Sequence, residues 1–74
     1  MSWNYRVIKQ NDYYAVHEVY YDKDGNPEAH TRLPCVPNGE SKLDIELDLR
    51  FMILALYKPV LIWDEVTKKY KEGK

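Results

Sequence analysis

Cysteine, glycine, charge of one sign and long apolar runs are all scarce in this sequence. A single cysteine, Cys35, rules out a disulfide within the chain, and a lone thiol fits a reducing compartment. No Cys/His pair has zinc-ligand spacing, so no metal or cofactor is expected. The three glycines make no loop of the kind that cradles phosphate. The apolar run from Phe51 to Tyr57 is far too short to cross a bilayer, and no apolar h-region stands near the start. The expectation is therefore a cytoplasmic protein with no signal peptide and no membrane contact. Eleven basic residues against twelve acidic ones give a net charge of −1, which supplies no overall electrostatic footprint for nucleic acid.

What is present fits one small domain over residues 1–74. A chain of this size buries only about 60% of its unfolded surface and is marginal alone. Small domains compensate with disulfides, metals or oligomerisation. With the first two unavailable, oligomerisation is the expected device.

Trp3 to Lys9 alternates in a strand pattern. Gln10-Asn11-Asp12 is a turn, and Tyr13 to Tyr21, dense in aromatic and β-branched residues, is a second strand. Asp24-Gly25 marks a second hairpin, with Glu28 to Leu33 as a short third strand. Two-residue loops at Asn11-Asp12 and Asp24-Gly25 would set Val7 opposite Val16, Trp3 opposite Tyr20, Tyr20 opposite Ala29 and Val16 opposite Leu33. Opposite residues share a face. One face then holds Trp3, Tyr5, Val7, Val16 and Leu33 and reads as the core. The other holds Arg6, Ile8, His17, Val19 and Arg32 and reads as wet.

Pro34 to Glu40 is a connector. Ser41 to Leu56 is a helix, opened by an S-x-x-D box at Ser41 and Asp44 and stopped before Pro59. At 100° per residue its apolar side chains form two stripes. Ile45, Leu49, Met52, Ile53 and Leu56 lie on one side and are expected to cover the sheet. Leu43, Leu47, Phe51 and Leu54 lie on the other; Pro59 to Trp63 could fold back over Leu47 and Leu54, but five residues should leave Leu43 or Phe51 bare, which makes the stripe a candidate interface. Pro59 to Trp63 is a short apolar piece, and the charged end, about residues 64–74, is expected to fray or to carry a short helix through Trp63, Val66 and Tyr70.

The expected fold is thus α+β: a three-stranded antiparallel meander packed on one α-helix (β-β-β-α), with a short C-terminal apolar segment.

Few residues point to chemistry. Asp22, Asp24 and Asn26 place oxygen ligands at alternate positions, but the glycine, Pro27 and Glu28 do not follow a calcium-loop order, and a plain hairpin turn accounts for them. His17 and Glu18 are adjacent on a strand and point to opposite faces, so they do not cooperate as acid and base. No nucleophile or oxyanion element accompanies them, and Cys35 has no basic neighbour in the sequence to activate it. No enzyme is expected. Arg6, Tyr13, His17, Tyr21, His30 and Arg32 would share the wet face, and basic groups among aromatics on an open sheet suit RNA. Nucleic-acid binding through that face is the alternative to protein interaction.

The order strand–strand–strand–helix and the stretch YRVIKQNDYYAVHEV resemble the N-terminal domain of HicB-type antitoxins. Leu33-Pro34-Cys35 is similar to that family's L-P-G-C connector without its glycine, and Gly39-Glu40-Ser41 to its helix entry. The likeness runs from Tyr5 to Leu56, lacks the family's E-E-A helix signature and is followed by no DNA-binding element. Lys58 to Leu61, K-P-V-L, also resembles a segment of small bacterial proteins of uncharacterised function. The resemblance implies an interaction fold and carries no active site. The expected function is a non-enzymatic interaction module that self-associates through its helix as a homodimer, or docks a protein partner there.

Overall fold

The computed structural model describes residues 2–73. Among them, the first two strands, β1 (Ser2–Gln10) and β2 (Tyr13–Tyr21), form a hairpin in which Gln10 faces Tyr13 and Trp3 faces Tyr20. The two-residue loop is as the sequence indicates. Asn11 takes the left-handed region at φ 56°, which asparagine tolerates better than most residues. The third strand, β3 (Pro27–His30), pairs with β2 through Tyr20 and Ala29, then slips so that Tyr21 faces Pro27. Asp22 organises the turn: its Oδ1 accepts from the backbone N–H of Asp24 and of Asn26, both at 2.9 Å, and Gly25 sits at φ 82°. Past His30 the strand does not continue to Leu33. The chain stays beside β2, with Thr31 N–H donating to Glu18 O and Cys35 N–H to Val16 O.

The helix α1 (Lys42–Leu54) starts where the sequence places it. Ser41 Oγ accepts from Asp44 N–H at 3.1 Å, and Asp44 Oδ2 accepts from Glu40 N–H at 3.1 Å. Gly39 lies so close to this first turn that any side chain there would run into Asp44. A 3₁₀ turn, Ala55–Tyr57, ends the helical run before Pro59.

Two further strands overturn the three-stranded meander. Val60–Asp64 is a strand, β4, and Lys69–Gly73 another, β5. The five strands of the described residues form one curled, mixed sheet in the order β3-β2-β1-β4-β5. β4 runs parallel to β1, with Ile8 beside Leu61, so the connector and α1 make a crossover over one face of the sheet. The stretch expected to fray, or to form a short helix through Trp63, Val66 and Tyr70, is a β-hairpin. Asp64 Oδ1 accepts from Val66 and Thr67 N–H, and Lys68 takes φ 58°.

The two extra strands also change which face is core. They bring Leu61, Trp63 and Tyr70 to the concave side, where Ile8, Val19 and Leu61 are almost wholly excluded from solvent. The side expected to be wet is the tight core. The β1–β2 register agrees with the expectation and the burial does not, because burial depends on what covers each face.

Candidate interaction surface

α1 is poorly covered. Met52 is buried, and Ala55 beyond the helix end with it. The stripe expected to pack on the sheet does not: Ile45, Leu49, Ile53 and Leu56 are all exposed. The candidate interface residues are exposed as well, Leu43 by 62%, Leu47 by 45%, Phe51 by 60% and Leu54 by 53%. The sheet meets the helix along one line, through Asp48 and Met52. Here Tyr5 Oη donates to Asp48 Oδ1 at 2.6 Å, and Asn38 N–H donates to Oδ2 at 3.1 Å. Burial first, and the Asp48 carboxylate second, hold the Tyr5 phenol well above its ordinary pKa. Sequence reasoning does not single out Asp48. The available signal is a carboxylate on the helix with a tyrosine strand to meet it.

The magnitudes place this exposure well outside the ordinary. The chain has an accessible surface of 5851 Å², against about 4,800 Å² from the surface–mass scaling for a folded monomer of its size. Its radius of gyration is 12.7 Å, against about 11.3 Å for a compact domain of this length. Within α1, Leu43, Ile45, Leu47, Leu49, Phe51, Ile53 and Leu54 are all exposed. A cavity of about 490 Å³ opens where the helix leaves the sheet, lined by Trp3, Asn4, Tyr5, Asp48, Phe51, Leu54 and Lys58. Arg50 donates to Glu46 at 2.7 Å along the helix surface.

The six residues of the candidate nucleic-acid face do not share an open surface. Arg6 is 7% exposed and His17 4%, both inside the curled sheet. Arg6 donates to Tyr21 Oη at 3.0 Å and to Pro59 O at 2.7 Å, and the Tyr21 hydroxyl in turn donates to Asn4 Oδ1 at 2.6 Å. Arg6 Nε has no partner among the described residues. His17 Nδ1 donates to Thr31 O at 2.8 Å. His30 is half-buried and spans the gap between β3 and β5. The Gln10 amide nitrogen donates to its Nε2, so its proton sits on Nδ1, which donates to Tyr70 Oη at 2.5 Å. Its ring also meets Trp63, Tyr70 and His17 edge to face. Burial, then the neighbouring His17, push the His30 pKa down, and burial pushes the Tyr70 phenol up to about 12. Tyr13 and Arg32 are exposed, Tyr13 at the hairpin end and Arg32 beyond β3. These polar groups hold the interior of the curl together.

Among the described residues no group of three or more acidic, histidine or cysteine side chains converges as metal ligands, and no helix is long and apolar enough to cross a membrane. Compared with known proteins, the chain matches no family model, no curated protein and no solved structure.

Proposed function

We propose that this chain is a non-enzymatic protein-interaction module of the cytosol, and that α1 is the element it offers to a partner protein. One observation carries the reading: α1 leaves seven large apolar side chains exposed, on a chain whose whole surface is roughly 1,000 Å² larger than a monomer of this mass ordinarily shows. Exposed apolar patches of several hundred Å² mark interaction sites. The mechanism is surface burial through Leu43, Leu47, Phe51 and Leu54, with the neighbouring cavity at Trp3 and Tyr5 as a socket for an inserted side chain. The unpaired Cys35 suits a reducing compartment. Nucleic-acid binding is the weaker reading, because Arg6 and His17 already have partners inside the curl.

The test uses an apolar fluorescent dye such as ANS on the dilute chain. Dye should bind the wild type and not a Leu47→Gln/Phe51→Gln variant, and the variant should keep its far-UV circular dichroism. A wild type that binds no dye, together with a variant that unfolds, would mean that the chain covers its own helix and that the reading is wrong.

A further inference from the structure

We infer that the partner is a second copy of this chain, docked helix on helix and antiparallel across a two-fold axis. This rests on the interaction reading above and names its occupant.

The area fits one such contact. A standard interface buries about 800 Å² on each partner, and the excess of the whole chain over the monomer scaling, roughly 1,000 Å², is large enough to include one. The charges fit as well. At 100° per residue, the side of α1 opposite Met52 is formed by Leu43, Leu54 and Arg50, with Leu47 on one shoulder and Glu46 on the other. Laying a second helix antiparallel, with the axis level with Asp48 and Leu49, sets Leu43 level with Leu54 of the second copy and Leu47 within one residue of its Phe51. In the same register Glu46 comes within one residue of Arg50 of the second copy, and Arg50 of its Glu46, an offset that long side chains span. The stripe and the ion-pair residues are therefore self-complementary to within about half a residue of the Asp48–Leu49 midpoint, as an isologous contact requires. A parallel pairing would instead oppose Glu46 with Glu46 and Arg50 with Arg50. Antiparallel helices also set opposite dipole ends side by side. A net charge of −1 leaves little repulsion between copies.

Charge reversal with mixing tests the arrangement. Arg50 and Glu46 have side chains 71% and 55% exposed, so Glu46→Arg and Arg50→Glu should each leave the fold intact by circular dichroism. Sedimentation equilibrium should show the wild type as a dimer at high micromolar concentration. Each variant alone sets like charges across the axis twice and should weaken self-association by roughly tenfold, from two exposed pairs changed from attraction to repulsion. An equimolar mixture of the two variants restores both pairs and should associate as the wild type does. Variants that associate as well as the wild type, or a mixture no tighter than either alone, would overturn the antiparallel second copy. A monomeric wild type that binds ANS would overturn the second copy and leave another protein as the occupant. A monomeric wild type that binds no dye would overturn the interaction reading too.

Discussion

Tyr5 of β1 and Asp48 of α1 are joined by a 2.6 Å hydrogen bond, which ties the helix to the sheet. Leu47 and Leu49 flank this carboxylate in sequence, and both are exposed. The helix is therefore held by a narrow seam of one polar contact and Met52, and its apolar sides are left free.

Removing the phenol tests how much that seam matters. Tyr5→Phe leaves a part-buried carboxylate with one donor, the Asn38 N–H, in place of two. The expected loss is about 1–2 kcal/mol, read as a lower urea midpoint at unchanged slope. An unchanged midpoint would mean that the tie contributes nothing.

Arg6 and Arg32 should separate sharply. As wet-face residues both would be replaceable at little cost, but Arg6 is enclosed and bonded to Tyr21 and Pro59. Arg6→Ala strips Tyr21 and Pro59 of a buried partner and leaves a cavity, so a loss above about 2 kcal/mol is expected. Arg32→Ala, at an exposed position, should stay within about 0.5 kcal/mol. Equal effects in urea melts would contradict this burial.

β5 should prove structural. Tyr70 packs on Trp63 at 4.7 Å between ring centres and bonds His30 across the gap between the edge strands. Tyr70→Ala should cost about 2–3 kcal/mol, at the low end for a large-to-small change because the ring is only partly buried. If thermal melts of Tyr70→Ala match the wild type, residues 69–73 are a dispensable tail.

Acid should loosen the same gap. His30 has its pKa lowered by burial and by His17, so on acidification the unfolded chain takes up this proton before the folded one does. Stability from this group is complete well above pH 6.5 and falls as pH drops through that value. Glu65 stands near enough to oppose the shift, but only as the smallest of its causes. The melting temperature should drop between pH 7.5 and 5.5, and His30→Asn should flatten that drop. Asp64, its pKa held low by hydrogen bonds from Thr67 and Val66 N–H, and Glu65, held low by those from Lys68 and Trp63, lose their contribution only at lower pH. A pH dependence identical in wild type and His30→Asn would exclude His30 as its source.

Local signals in the sequence are legible where the chemistry is local. Asn11-Asp12 sets the first hairpin to the residue, and Ser41 with Asp44 sets the start of α1. The second hairpin is legible as a turn but not in full register, because Asp22, not the Asp-Gly pair alone, shapes it. β4 and β5 escape a sequence reading for a physical reason. The turn between them, Glu65 to Lys68, has no glycine or proline, and β5 offers a single core side chain, Tyr70, among charged ones. Edge strands are commonly guarded by lysine in this way, which makes them look like tails. Without these strands the curl is hidden and the wrong face looks buried. The two apolar stripes of α1 are legible from angles alone, but the narrow Tyr5–Asp48 seam is not.

The measurement closest to the central claim is the mass of the protein in solution at high micromolar concentration, by sedimentation equilibrium, for the wild type and for Leu47→Gln/Phe51→Gln. The expected result is about twice 8.9 kDa for the wild type and a folded, soluble single chain for the variant. A single chain of 8.9 kDa for the wild type, with a variant that unfolds, would contradict the account. Leu47 and Phe51 would then belong to the core of the monomer.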